Sequence, residues 1–469
     1  MCGAYPQLQL VRDLARAHQR RVFLVGGFLR NYLMPLPSPY PPRQVGGIDF
    51  DFAVDTGSLA FARAFARRIK GAFVLLDQEH GSARVVKNQG ATAWTFDFTD
   101  FRGRNIREDL ARRDFTVNTF CIDITTEKDH SPKAALKDLN TKTIRMVSKR
   151  AFIDDPLRLL RAFSLSAQAG FAIEPVTFAC IQKNARLINA SAMERLREEM
   201  FKILHSPRAF KTLKAMDQIG LLERVLPHIA VMYGIKQVGY HHLDVWKHSL
   251  EVVHQLEEII HKPDTSPILK GYLEEEIGGS HKRFALLKLA AVLHDIGKPD
   301  TRKKEKDRMT FHGHEHVGEG ITRKAAKHLK LSVRERHFLE DAVRLHLRPG
   351  YLSNFKRPSH RMVFRYMRDT KAEAASIAVL AMADQRATRG PLTTAARAKH
   401  HEQICRLVID EYFQEKAKPV RERLLTGHDL INRLRLKPSP LFAEILNAVR
   451  EAQALGTVTT KDQAVDLAK

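Results

Sequence analysis

The sequence predicts an α+β protein in which a small mixed sheet unit is followed by a longer, wholly helical region. Between residues 22 and 98, short apolar runs alternate with a helix-period segment and with turn residues, the signature of a small α/β domain. From about residue 150 onward strand signals fade and the 3.6-residue period takes over. At 469 residues the chain also exceeds what one hydrophobic core organises, so about two to four domains are expected.

In chain order, residues 8–20 (LQLVRDLARAHQR) read as a helix feeding a strand at 22–26. The stretch PLPSPYPPRQVGG at 35–47 is too rich in proline for a helix or a central strand, so it is a loop. A DFDFAVD strand follows, then a helix over 58–70 and strands near 72–77, 82–87 and 92–98. The segment DDPLRLLRA at 154–162 opens a helix with Pro156 in its first turn. Further helices fall at 191–204 and 208–216, with breaks at 262–282, 302–308 and 389–393 and a helical tail from 440 that ends in polar residues. No tandem repeat or low-complexity tract interrupts this order.

Lys and Arg number 77 against 53 Asp and Glu, a net charge of +24, and the hydrophobic fraction is 44%. That is enough apolar material for real cores, and the charge surplus favours a polyanionic partner, RNA or DNA first. An anionic membrane surface is the alternative, but no basic amphipathic helix stands out. No apolar run reaches the ~18–20 residues of a membrane span, and no signal-peptide core opens the chain. Cys2, Cys121, Cys180 and Cys405 show no CxxC spacing and read as free thiols in a reducing, cytoplasmic setting.

The first chemical constellation is VFLVGGFLRNYLM…GGIDFDF. Side chains two apart on a strand share a face, so Asp49 and Asp51 aim at one point while Ile48, Phe50 and Phe52 pack behind them. Two carboxylates held that close call for a cation, and magnesium suits hard oxygen ligands and phosphates. Gly26 and Gly27 let the backbone approach a triphosphate, with Arg30 near enough to pair with it. Asp97 in WTFDF is either a third metal-facing oxygen or an edge-strand aspartate. Arg112, Arg113 and Asp114, with Asn118, offer phosphate-pairing charge and an acceptor for a ribose hydroxyl; a solvated face is the plain alternative. Asp155, Arg158 and Arg161 recur at intervals of three, either as a helix salt bridge or as acceptor and donors for a base edge.

The order GGxxR, DxD, RRDFTxN, KDL, DDPxRxxRA resembles the class II tRNA nucleotidyltransferase and bacterial poly(A) polymerase family over roughly residues 15–225. That resemblance implies a polymerase-β-like nucleotidyltransferase head at 1–147, a helical neck and body at 148–238 for nucleotide selection and RNA binding, and an RNA-binding helical tail at 391–469. It also implies that Asp49 and Asp51 hold magnesium, that Gly26, Gly27 and Arg30 cradle the triphosphate, that Arg112, Arg113 and Asp114 meet phosphates and ribose, and that Asp155 and Arg158 select the base. The implied partners are the tRNA 3′ end, CTP and ATP. Divalent ions there would lower the pKa of the RNA 3′-hydroxyl and steady the departing pyrophosphate. Three positions depart from the family pattern. Asn31 replaces an acidic residue, Asp154 replaces glutamate, and only five residues (Gly103 to Arg107) separate FR from EDL. Members that complete the CCA end usually carry a longer flexible loop there, so the short one resembles the CC-adding subgroup.

The second constellation is histidine-rich. His248, the pair His294-Asp295 at the end of LLKLAAVLHDIGK, His314, His346 and Asp384 run in the order H…HD…H…H…D. Each alone would be an ordinary packed or surface residue; together they suit a divalent metal. The ordered set resembles the HD-domain metal phosphohydrolases over about 239–390, which implies a site for Mg, Mn, Ni or a similar ion and phosphodiesterase or phosphatase activity. Assigning His314 rather than His312 or His316 rests on its GHE context. LLTGHDLI at 424–431 and PLFAEILNAV at 440–449 resemble the tail of HD-bearing tRNA nucleotidyltransferases, with His428-Asp429 structural. The expected enzyme adds C, or C and A, to tRNA. A poly(A) polymerase, an HD phosphohydrolase with a vestigial head, and a non-catalytic RNA-binding protein are the competing readings, and oligomeric state is open.

Overall fold

The computed structural model describes residues 5–34, 47–90, 92–237, 242–263, 265–279, 281–305, 308–419 and 422–469. Most of the proline-rich stretch expected to be a loop lies outside them. Contacts divide the chain into two units. One runs to Glu199 and takes in Gln218–Arg224; the other comprises Met200–Asp217 and Val225–Lys469.

In the first unit, α1 (Pro6–Ala17) leads into β1 (Val22–Val25), followed by α2 (Gly27–Leu33), β2 (Gly47–Val54) and α3 (Ser58–Ile69). Then come β3 (Ala72–Asp77), β4 (Ser82–Gln89), β5 (Thr92–Asp100), α4 (Ile106–Ala111) and β6 (Cys121–Asp123). The strands form one mixed sheet in the order β3-β4-β5-β2-β1-β6, in which β2 and β5 pair in parallel and the other neighbours pair antiparallel. Phenylalanine and aspartate alternate along β2 and β5, and that period of two sorts the faces. Phe50 stacks on Phe96 at 5.4 Å and Phe52 on Phe98 at 4.9 Å, while Phe61 and Phe65 of α3 close over them. Each of these buried rings contributes about 1.5–3 kcal/mol by leaving water. The opposite face carries the aspartates. There α4 packs Ile106 and Leu110 against Phe23, Val25, Ala53 and Cys121, which leaves the part around β2, β5 and β4 open.

The helix expected to open around Pro156 begins later than its sequence suggests. A short turn of helix, Ala151–Asp154, precedes Pro156, and the long helix is Arg158–Ala169. Proline disfavours the helical conformation in the residue before it, and Asp155 is accordingly extended (φ −146°, ψ 99°) with its carboxylate accepting the Leu157 amide. Asp155 therefore does not share one helical face with Arg158 and Arg161.

Among the described residues the second unit is helical apart from two-stranded ribbons at Glu276–Ile277 with His281–Lys282 and at Lys303–Glu305 with Arg308–Thr310, where the sequence suggested only breaks. Its centre is the helix Arg283–Leu293, buried at every position. An all-round apolar helix belongs in a core. The charge of Lys288 is met there by Glu257 (3.0 Å) and the Ser206 carbonyl (2.6 Å), and Glu257 also accepts the amides of Ala209 and Phe210. In the tail, Leu425, Leu430, Val449, Val458 and Ala464 form a small core. Asp429 closes a capping box with Thr426 and pairs with Lys461, a structural use of the GHDLI segment.

His205 gives this unit a pH dependence. Its Nδ1 donates to the Phe201 carbonyl (2.7 Å) and its Nε2 accepts the Lys282 amide (3.2 Å), a pattern that needs the neutral ring. Burial, with the nearby charges of His281, Lys282 and Lys288, pushes its pKa down to about 4. As pH falls the unfolded chain takes up that proton first, so stability is lost from about pH 6.5 down to about 4. Thermal melts should show this contribution weakening by about 1–2 kcal/mol between pH 7 and 5. A His205→Phe variant should show a smaller change between the same two pH values.

Candidate active site and a second candidate metal centre

Directly opposed residues on neighbouring strands project from the same face. Val25, Asp51, Asp97 and Arg84 are paired in one row across β1, β2, β5 and β4, and Asp49 opposes Thr95 one step along. The three carboxylates Asp49, Asp51 and Asp97 therefore lie on the open face, and β5 is an interior strand, so Asp97 is not an edge residue. Both Asp97 oxygens are held by Arg84, at 2.8 Å each. Asp51 is raised above the ordinary carboxylate range by burial and by the charge of Asp97, against the pull of Arg113 and Arg161. Like charges crowded on one face with hard oxygen donors fit a divalent cation.

Gly26 is needed for this geometry. Its φ is +83°, and a Cβ there would stand 3.1 Å from Asp51 Oδ2 and 3.4 Å from Arg113 Nη1. From the same turn α2 carries Gly27 and Arg30. Arg30 Nη1 donates to Asn118 Oδ1 at 2.5 Å, and Asn118 in turn donates to both oxygens of Asp114. Arg161 completes the group at 2.9 Å from Asp114. Burial, with the nearby charge of Arg161, pushes Arg30 down to about 10. Burial would raise Asp114, but Arg161, Asn118 and the Phe115 amide outweigh it and hold the carboxyl low. Arg30, Asp114, Asn118 and Arg161 thus form one connected cluster, with Arg113 anchored at its side by Asp109 (3.2 Å). Arg112 is exposed and outside this network. Arg158 is buried and donates to the Ala151 carbonyl, while Asp155 is held by Arg195 at 2.9 Å.

The segment after β5 is short and tied down. Arg102 N donates to Asp109, Arg104 N to Glu108, and Asn105 caps α4 by accepting the Glu108 amide. A Cβ at Gly103 would meet Glu108 at 2.5 Å.

In the second unit, His294 ends the buried helix, and the six residues of the H…HD…H…H…D series come together. Their ligand atoms fall into two groups, His248, His294 and Asp384 in one and Asp295, His314 and His346 in the other, each within 4.8 Å. Asp295 joins them, 3.2 Å from His294 and 3.3 Å from His314. Nδ1 of His294, His314 and His346 each meets the carbonyl three residues earlier, at 2.9, 2.8 and 2.6 Å, which turns every Nε2 inward. His294 Nε2 is buried without a hydrogen-bond partner. Burial and the neighbouring His294 and His314 push His346 down to about 3, so it stays neutral and ready to ligate. Burial lowers His294 but Asp295 more than restores it, and the histidines hold Asp384 far below its ordinary range. Mixed imidazole and carboxylate donors of this kind suit a divalent transition metal or magnesium. The side chain of His316 is 72% exposed and His312 is exposed too, so His314 alone of the three belongs to the group. Gly297 permits the packing, since a Cβ there would sit 2.2 Å from the His314 carbonyl.

Sequence reasoning missed Arg84 and Lys298. Lys298 Nζ lies 2.6 Å from both Asp295 Oδ2 and Gln237 Oε1; the i+3 spacing from Asp295 in HDIGK was the available signal. Nothing local marks Arg84, which reaches Asp97 only through strand register.

Residues 22–145 match the poly(A) polymerase head domain, 170–232 the probable RNA and SrmB-binding site of polymerase A, and 245–388 the HD domain. The chain is 32% identical over 450 residues to an A-adding tRNA nucleotidyltransferase of Deinococcus radiodurans, covering 94% of this chain and 93% of that one. It is 30% identical to a CC-adding tRNA nucleotidyltransferase of Thermus thermophilus, covering 94% and 92%. The fold resembles the Thermotoga maritima CCA-adding enzyme solved in complex with tRNA (TM-score 0.62, 18% identity, 98% and 93% covered). Among the described residues no helix is long and apolar enough to cross a membrane.

Proposed function

This chain belongs to the tRNA nucleotidyltransferase family, and from that premise we propose that it adds cytidylates from CTP to the 3′ end of tRNA and stops before the final adenylate. The observation that carries nucleotide transfer is the meeting of Asp49, Asp51 and Asp97 with Arg30, Arg113, Asp114 and Arg161 around the Gly26 turn. Asp49, Asp51 and Asp97 would hold magnesium, which these oxygen donors suit and which would supply the charge that activates the 3′-hydroxyl and steadies pyrophosphate.

The residues do the rest of the work. Gly26 lets the backbone come close to the triphosphate, and Arg30 and Arg113 pair with its oxygens. Asp114, kept ionised by Arg161 and Asn118, accepts from the ribose. Arg158, held on the Ala151 carbonyl, and Asp155, held by the Leu157 amide and Arg195, offer donors and acceptors to the base edge, so no template is needed. The CC limit is supported by the short 102–105 segment, whose amides are tied to Asp109 and Glu108. The 32% identity to an A-adding relative favours a second reading, addition of the last A alone.

Transcripts ending at the discriminator base, at C and at CC, each with one labelled nucleotide, separate the readings. CMP added to the first two and no AMP added to the CC end is the expected result. AMP added only to the CC end establishes the A-adding reading, and long A tails on generic RNA establish a poly(A) polymerase.

The six-residue metal group of the second unit supports a further phosphodiesterase or phosphatase activity, on a damaged tRNA end or a 2′,3′-cyclic phosphate, with Mg, Mn or Ni. Intact ligands in both units argue against a vestigial head or a purely RNA-binding role. Free Cys121, Cys180 and Cys405 accord with work in the cytoplasm.

A further inference from the structure

We propose that Arg84 is a positioning residue for nucleotide transfer. Through its two-point pair with Asp97 it fixes the third carboxylate beside Asp51 and reduces the negative charge with which the site attracts divalent cations. The inference rests on the metal-site reading of Asp49 and Asp51 given above.

Along β4 the period of two buries Ala83 and Val85 and turns Ser82, Arg84 and Val86 to the open face. β4 is an interior strand, so Arg84 is not a charge set on a sheet edge to solvate it. Register brings it opposite Asp97, and Asp97 opposite Asp51. The bond to Asp97 is bidentate, at 2.8 Å for each oxygen, the geometry in which arginine orients a carboxylate as well as neutralising it. An ordinary cross-strand ion pair would act on its one partner. Arg84 feels the whole group: Asp97 raises its pKa first, and Asp49 and Asp51 add to that. With it in place the three carboxylates meet the Arg84 guanidinium in the same row, in addition to the pull of Arg113 and Arg161 on Asp51. Without it the attraction for a divalent ion rises, but Asp97 loses what holds it in register with Asp51.

The test titrates full-length protein with Mn²⁺ followed by electron paramagnetic resonance. The binding removed by Asp49→Asn/Asp51→Asn defines the head-bound ion. Arg84→Met should bind that ion at least about threefold tighter, and its kcat for CMP addition should fall about tenfold with KM for CTP nearly unchanged. Arg84→Lys keeps the charge but cannot bridge both oxygens. It should return the Mn²⁺ affinity to near the parent value while kcat stays low. Arg84→Gln carries the same expectation as Arg84→Met should the latter melt early. Unchanged or weaker Mn²⁺ binding in the neutral variants overturns the proposal, as does Arg84→Lys binding like them. Failure of Asp49→Asn/Asp51→Asn to remove any of the Mn²⁺ binding overturns the metal-site reading instead, the ion of the second unit being retained in either case.

Discussion

Replacing Asp51 with asparagine is expected to cut CMP incorporation by at least about a thousandfold, some 4 kcal/mol of transition-state stabilisation. The side chain keeps its shape and loses only its charge, so the loss reports on cation binding and not on packing. The same change should leave the melting temperature level or raise it. Burial and the like charge of Asp97 destabilise the ionised Asp51, and asparagine relieves both. A group whose pKa is raised in the folded state costs stability when ionised, and that cost is present at neutral pH. Activity and melting temperature should therefore move apart. Single-turnover assays beside thermal melts check it; a variant that loses activity only because it unfolds would defeat the assignment.

Asp295→Asn is expected to have a large but separate effect. Asp295 lies between His294 and His314 and also takes the Lys298 ammonium, so its charge organises both groups of ligands. Elemental analysis should show the variant losing the metal of the second unit, and phosphodiesterase activity should fall at least about a hundredfold. CMP addition should stay within about twofold of the parent, since none of the residues proposed for transfer belongs to that cluster. Loss of both activities at matched melting temperature would refute two independent sites.

The sequence revealed most of what depends on periodicity. Strands near 72–77, 82–87 and 92–98 appear as Ala72–Asp77, Ser82–Gln89 and Thr92–Asp100; alternation reports a half-buried sheet in the last two, whereas Ala72–Asp77 is a continuous apolar run that stays mostly exposed. The same alternation placed Asp49 and Asp51 on one face, and the histidine series, spread from His248 to Asp384, is legible from the order of its members. What stayed hidden depends on pairing between distant segments. Arg84 meets Asp97 through strand register, which no local pattern encodes. Asp155 was assigned to the helical face of Arg158, but Pro156 sets it in an extended turn where Arg195 holds it. Arg112 belonged to a plausible run of charge, yet only its neighbours Arg113 and Asp114 turn inward. A basic pair reads the same in sequence whether one or both members are used.

The alternation of phenylalanine and aspartate along β2 also ties the fate of the enzyme to a single frame. Deleting one residue between Ile48 and Phe52 would send carboxylates among the rings of Phe96 and Phe98 and expose aromatic surface where a nucleotide should lie. Such a chain would forfeit its core and its chemistry in one event, so length changes in this strand should be tolerated far less than substitutions at its exposed positions.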